Sequence, residues 1–300
     1  MDRIKIFFLA TRPQFFPAVF LPVALGASAA WESAGSFNVL YFILTLAASL
    51  LYHAGMNVLN DYFDFLNGTD NINKTPLTPF TGGSRFIQRG DITPRETFIL
   101  GFTLVSAGSA VGLYLAVKVS WVLIIIGGVG LFSGIFYSAP PLFFAGRGMG
   151  EFIVGLNFGV LTVLGSYLVQ TGRISPEPVF ASLPLSFLVS ALLYINEFPD
   201  YEADRSAGKR NLVVRLGLKR ARPGFCLLVA GAYLSIILGA VLGYLPALCL
   251  AALVSGVFAL ISVKGFLRNY DGGAKLIPSI KSIILAQIGT GALLIASNIL

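Results

Sequence analysis

Apolar residues run through the chain in long blocks with short polar breaks. The blocks cover roughly 13–31, 38–66, 94–117, 119–138, 150–170, 178–200, 223–243, 245–267 and 276–299. Each is about 20 residues or longer, the length a helix needs to cross a hydrocarbon core of about 30 Å. The pattern therefore predicts an all-α, polytopic membrane protein with nine spanning helices. Residues 1–12 place Arg3, Lys5 and Arg12 around Ile-Phe-Phe-Leu and predict a short interfacial helix ahead of the first span.

Charge placement tests this division. With the N-terminus cytoplasmic, one side collects Arg3, Lys5 and Arg12, then Lys74, Arg85, Arg89 and Arg95, then Arg147. It also collects Arg205, Lys209, Arg210, Arg215, Lys219, Arg220 and Arg222, and finally Lys264, Arg268, Lys275 and Lys281. Only Lys118 and Arg173 fall on the other side. A wrong number of spans would scramble the alternation, so the positive-inside rule predicts N-terminus in and C-terminus out. The expected location is the cytoplasmic (inner) membrane, crossed many times.

Composition agrees. Of 300 residues, 56% are hydrophobic and 12% charged, against about 25% charged in soluble domains. Mean hydropathy is +0.81. No long polar stretch marks a second domain, so residues 1–300 read as a single membrane domain. The net charge of +7 sits beside apolar blocks, which assigns it to membrane topology and gives no reason to invoke nucleic acid. No cleavable signal peptide is evident. Cys226 and Cys249 lie in apolar runs without metal spacing. Gly127, Gly128, Gly130 and Gly134, and then Gly155, Gly159 and Gly165, read as helix-packing positions. Pro13, Pro17 and Pro22 read as kinks in the first span.

Against this background Asn57 to Asp70 stands out. It reads Asn-Val-Leu-Asn-Asp-Tyr-Phe-Asp-Phe-Leu-Asn-Gly-Thr-Asp at the end of an apolar block. Asn57, Asn60, Asp61 and Asp64 fall on one face of a helix. Clustered carboxylates there imply a cation, a wet cavity or both. A second cluster follows far along: Asn196, Glu197, Asp200, Glu202 and Asp204. Asn57 and Asp61 are four apart, as are Asn196 and Asp200, and each pair closes an even-numbered block, which suggests two similar halves. Asp200 and Asp204 share a face if the helix continues through Pro199. The plain alternative for either cluster is a helix cap or a satisfied interfacial ion network.

Hard oxygen ligands on two helices suit Mg²⁺, which binds through one or two carboxylates plus waters and substrate phosphates. One histidine, His53, and two distant cysteines provide no zinc or haem ligand set. The loop after the first cluster carries Lys74, Arg85 and Arg89 around Gly82-Gly83-Ser84. The loop after the second carries Arg205, Gly208, Lys209 and Arg210. Cations and exposed backbone amides suit a diphosphate. Lys74, Arg85, Lys209 and Arg210 adjoin the acids and are the preferred diphosphate ligands. The plain alternative is positive-inside charge alone. Carboxylates for Mg²⁺, cations for diphosphate and an apolar interior for a tail together fit a polyprenyl diphosphate.

These residues resemble the UbiA-type superfamily of intramembrane aromatic prenyltransferases. Asn60-Asp61-x-x-Asp64 is similar to its first aspartate-rich motif, and Asp200-x-x-x-Asp204 to its second. Where many members carry a further aspartate this chain has Gly68, with Asp70 two residues later. That variant resembles the 1,4-dihydroxy-2-naphthoate prenyltransferase branch, as do Thr11-Arg-Pro, Tyr137-Ser-Ala-Pro-Pro141, Gly148-Met-Gly-Glu151, Gly165-Ser-Tyr167, Gln170-Thr-Gly172 and Asn196-Glu-Phe-Pro-Asp200. The likeness spans residues 11 to about 217.

The resemblance implies a nine-helix bundle around a central cavity opening toward the cytoplasm. It implies Mg²⁺ held with the diphosphate by Asn60, Asp61, Asp64, Asp200 and Asp204. Asn57, Asp70 and Asn196 would support them. Tyr137 would stand at the cavity mouth near the isoprenoid C1 atom, its plain alternative being an interfacial aromatic anchor. The implied activity is prenyl transfer to an aromatic ring, with dihydroxynaphthoate losing its carboxyl as carbon dioxide on the way to menaquinone. Two alternatives stay open on the residues alone. One is the same reaction on 4-hydroxybenzoate, homogentisate or another acceptor. The other is a cation-coupled transporter.

Overall fold

The fold is known from a computed structural model, which describes residues 2–68, 77 and 80–300. All regular structure among them is helical. In chain order the helices are α1 (Arg3–Ala10), α2 (Pro17–Ala34), α3 (Val39–Leu66), α4 (Pro94–Lys118), α5 (Val122–Ser138), α6 (Gly150–Thr171), α7 (Glu177–Glu197), α8 (Tyr201–Ser206), α9 (Leu212–Leu216), α10 (Leu218–Val241), α11 (Ala247–Asn269) and α12 (Gly273–Ile299).

The helix ends follow local chemistry. Thr93 and Glu96 close a capping box at the start of α4, with Thr93 Oγ1 accepting from the Glu96 amide at 3.2 Å and Glu96 Oε2 from the Thr93 amide at 2.9 Å. Asn38 caps α3 by accepting from the Tyr41 amide at 3.0 Å. The stretch Arg3–Phe15 and α2 meet at a bend of 56°, and just after α1 Arg12 takes a φ of +56°. Pro13 opens the short turn that follows, Pro17 is the first residue of α2, and Pro22 lies within α2. The expected kinked span is thus a short helix, a corner and a longer helix.

Seven helices are long and apolar enough to cross a membrane, eight if the bent α1–α2 pair counts as one span. α5 has 17 residues, about 26 Å of rise and short of a full hydrocarbon core. All nine predicted blocks fold as helices, but the expected count of nine spans is not established. Large apolar side chains face outward all around the bundle, including Val117, Leu227 and Val241, each at least 70% exposed. Such a surface suits lipid and not water. The protein is a multi-pass membrane protein.

α7 is the most enclosed helix. It packs on α10, α6, α12 and α2, and its Tyr194 and Ile195 meet Phe225, Phe266 and Ile280 in the largest core cluster. α3 lies along α4, where Gly55 and Gly101 face each other and a Cβ on Gly101 would approach the Gly55 carbonyl to 3.2 Å. α6 presses on α7 through Gly155 and Gly159, with Ser186 occupying the space a Gly159 side chain would need. α6 carries a π-helical turn at Leu156–Leu161, and there the Thr162 hydroxyl donates to the Asn157 carbonyl at 2.6 Å. Such turns redirect side chains within a helix.

One expectation about the second cluster fails. α7 stops at Glu197, and Phe198, Pro199 and Asp200 form a turn before α8. Proline has no N–H to continue the helical ladder. Asp200 therefore does not share one continuous helix with Asn196, and the matched four-residue spacing to Asn57 and Asp61 has no matching geometry.

Candidate active site

A cavity of about 760 Å³ opens among α2, α3, α4, α5, α6 and α7. One end is polar. There α3 presents Asn57, Asn60 and Asp64, α7 and its following turn present Asn196, Glu197 and Asp200, and α8 with its loop presents Asp204 and Lys209. The other end is lined by Thr45, Ala48, Leu115, Leu123, Ile126 and Leu131. Asp64 of the first cluster and Asp200 and Asp204 of the second, far apart in sequence, thus face one space, whereas Asp61 is not among the lining residues and is paired with Arg12 behind them.

On the first cluster, Arg12 reaches in from the α1–α2 corner, donating to Asp61 and, at 3.2 Å, to Asn60 Oδ1. The Ser84 amide also donates to Asp61 Oδ1, at 3.2 Å. Asn60 donates to Asp64 Oδ2 at 3.0 Å and to the Ser138 hydroxyl at 2.6 Å, which ties α3 to α5. Asn57 donates to the Thr11 carbonyl at 3.2 Å and stands 3.0 Å from His53 Nε2. It holds the corner that carries Arg12.

On the second cluster, Lys209 Nζ lies 3.6 Å from Asp204 Oδ1, and Asn211 donates to Asp204 Oδ2 at 2.7 Å. Burial pushes the Asp204 carboxyl above its usual range, with Lys209 and Asn211 opposing. Burial pulls Lys209 down, but Asp204, Asp64, Tyr137 and Glu197 together raise it well above the ordinary lysine value. Lys209 is therefore a fixed cation surrounded by the acids of both clusters.

The other expected residues divide. Tyr137 lines the cavity. Arg85 and Arg210 are not among its lining residues, and the Arg210 amide instead donates to the Gly146 carbonyl at 3.1 Å. Lys74 and Asp70 lie outside the described residues. Arg12, which the sequence offered only as topological charge, and Arg89, a loop cation outside the preferred set, do line the cavity, as does His53. The Thr11-Arg-Pro motif was the available signal for Arg12. The Gly82-Gly83-Ser84 loop is in place, lining the polar end.

The glycines of α5 also differ from expectation. Gly127, Gly130 and Gly134 line the cavity, and nothing lies within 4 Å of where a Cβ on Gly127 would stand. Gly127 leaves room in the cavity and does not pack a helix.

The donor set fits a hard divalent cation. Asp61 Oδ2 and Asn196 Oδ1 are buried without a hydrogen-bond partner, an arrangement that costs energy unless something else satisfies them. Among the described residues no three Asp, Glu, His or Cys side chains converge closely enough to hold an ion alone. Mg²⁺ does not require that, because it keeps waters and takes phosphate oxygens as ligands.

Comparison with known proteins gives the family. Residues 19–277 match the UbiA prenyltransferase family. The chain is 30% identical to a 1,4-dihydroxy-2-naphthoate octaprenyltransferase of Bacillus subtilis (strain 168), over 88% of this chain and 83% of that protein. It is 29% identical to the protein of that name from Escherichia coli (strain K12), over 77% and 75% of the two chains. A UbiA homologue from Archaeoglobus fulgidus, solved bound to DMAPP and Mg²⁺, has the same fold, with a TM-score of 0.69 at 19% identity over 97% of this chain and 99% of that one. The chain whose two acid clusters meet at the polar end of one largely apolar cavity belongs to the UbiA prenyltransferase family.

Proposed function

We propose that the protein transfers a polyprenyl group from polyprenyl diphosphate to 1,4-dihydroxy-2-naphthoate, in a Mg²⁺-dependent step of menaquinone biosynthesis. The observation that carries the reading is the cavity itself, which joins acids and cations at one end to an apolar pocket at the other. The family supports prenyl transfer. The names of the Bacillus and Escherichia relatives support the naphthoate acceptor. The prenyl diphosphate and Mg²⁺ of the Archaeoglobus homologue support the donor and the ion.

Asn60, Asp61, Asp64, Asp200 and Asp204 would hold Mg²⁺. When bound, it supplies positive charge to a departing diphosphate. Lys209 and Arg12 add fixed cations at the same end, with Ser84 and the Gly82-Gly83 backbone beside them, and Arg85, Arg210 and Lys74 reinforce that charge from the flanking loops. The C1–O bond of the allylic diphosphate breaks with its electron pair leaving on diphosphate. A ring carbon of the acceptor forms the new bond to C1, and the ring carboxyl leaves as carbon dioxide. Tyr137 stands near C1, and the apolar walls keep water from the cationic carbon. Asn57, Asn196 and Asp70 support the acids. In this reading the protein sits in the inner membrane, N-terminus and polar cavity mouth toward the cytoplasm and C-terminus outside.

The test is a donor and acceptor panel on purified protein, read by mass spectrometry with Mg²⁺ or chelator. Asp64→Asn and Asp200→Asn are each expected to lower transfer by about 10²-fold or more. Undiminished activity in both would remove the metal assignment. Gly127→Phe is expected to cut activity with long donors while sparing short ones. An unchanged donor-length profile would show that the tail does not reach α5.

A further inference from the structure

Two carboxylates of the site region have no task in the reaction above. Glu151 lies in the first turn of α6 and Glu197 ends α7; they are 5% and 7% exposed. The two carboxyl groups lie within hydrogen-bonding reach of each other. Glu197 lines the cavity, and Glu151 lies behind it. As carboxylates they are poorly served: both Glu151 carboxyl oxygens and Glu197 Oε2 are buried without a donor. The titratable groups around them are Tyr137, Tyr194, Asp204 and Lys209. Tyr194 donates instead to the Ala221 carbonyl at 2.8 Å. Lys209 is paired with Asp204.

Two facing anions in a buried place repel each other and lose hydration. A single proton between them removes the repulsion and halves the buried charge, turning the contact into a hydrogen bond from acid to carboxylate. The backbone fixes this arrangement, because Ser190 of α7 donates to the Glu151 carbonyl at 2.8 Å. We propose that Glu151 and Glu197 share one proton, and that Glu197, so held, binds the ring hydroxyl of the aromatic acceptor.

The chemistry of the pair selects this ligand. A half-protonated carboxyl pair both donates and accepts, which matches a phenolic hydroxyl and not a diphosphate. The diphosphate is drawn to Arg12 and Lys209. Glu197 also lies three residues before Asp200, so a ring held there sits beside the acids that receive the leaving group. Glu197 is thus a binding residue for the acceptor, and Glu151 positions it. The inference rests on the prenyl-transfer reading and adds its acceptor contact.

The experiment uses the full chain purified in nanodiscs, with Mg²⁺, a prenyl diphosphate and two acceptors, one a free phenol and one its methyl ether. Glu197→Gln and Glu151→Leu are expected to raise the KM for the phenol by about 10- to 100-fold, leaving the KM for the diphosphate unchanged. The apolar Leu fills the Glu151 site without stranding a charge. Glu151→Gln keeps a donor to Glu197 and is expected to raise the acceptor KM less than Glu151→Leu. The methyl ether is expected to respond to none of the three. An infrared band of a protonated carboxyl, shifting in D₂O, is expected at neutral pH and lost in E151Q/E197Q. Equal changes in both KM values, or the same infrared spectrum in wild type and double variant, would overturn the proposal. Absence of transfer to any aromatic acceptor by wild type would overturn the prenyl-transfer reading instead. The infrared band would still decide whether the proton is shared.

Discussion

Lys209→Met is expected to lower kcat/KM for prenyl transfer by about 10²- to 10³-fold, the range for removing one preorganised charge partner at a reacting oxygen. Lys209 is the cation on which the acids of both clusters act: Asp204 at 3.6 Å, with Asp64, Glu197 and Tyr137 also acting on it. Its charge is secure because the carboxylates around it, Asp204 and Asp64 first, outweigh burial. The same variant strands Asp204, which is buried and keeps only Asn211 as a donor among the described contacts. It is therefore expected to lose stability as well, by about 3 kcal/mol. The double variant K209M/D204N removes the stranded charge and is expected to recover thermal stability. Because Asp204 is itself assigned to the metal, activity is compared with D204N alone, and the double variant is expected to be less active than D204N. Equal activity of the two would reduce Lys209 to a structural partner of Asp204.

Arg12→Met is expected to destabilise the metal-free protein by about 3 kcal/mol. Asp61 has a side chain only 4% exposed, and its Oδ2 already has no hydrogen-bond partner. Without Arg12, the Ser84 amide at 3.2 Å is its remaining described donor. If the acids hold Mg²⁺, the ion binds the folded state and offsets the lost cation, so Mg²⁺ should stabilise the variant more than it stabilises wild type. Thermal unfolding in detergent with Mg²⁺ and with chelator checks this. An equal response of wild type and variant would separate Asp61 from the metal.

Why some of this was legible in the sequence and some was not follows from the residues involved. Asp61, Asp64, Asp200 and Asp204 were conspicuous because a carboxylate beside an apolar block has few physical excuses. The helices were legible because lipid demands long uniform runs. The break after Glu197 was half legible: Pro199 announced it, but where Asp200 would turn depended on how α7 and α8 pack. Arg12 was counted with the positive charges, because nothing local says that a left-handed residue at a corner will throw its side chain across to α3. Lys209 was selected for its nearness to Asp204, and its contacts with both clusters needed the folded chain. Arg85 and Arg210 were selected by the same rule, and neither lines the cavity. Gly127 read as packing because a glycine facing a void and a glycine facing a helix look alike in one dimension. Glu151 belonged to a motif but had no partner until α6 and α7 met.

α3 carries both ends of the cavity on one rod. Thr45 lines the apolar end and Asp64 the polar end, and both belong to the unbroken helix Val39–Leu66. The nineteen steps from one to the other rise by about 28 Å. Head and tail positions are therefore not set independently. The helix acts as a ruler with its zero at the acids and a graduation at each inward-facing turn. A bulky residue placed one turn nearer the zero should shorten the accepted donor by about 5.4 Å of tail, one notch at a time.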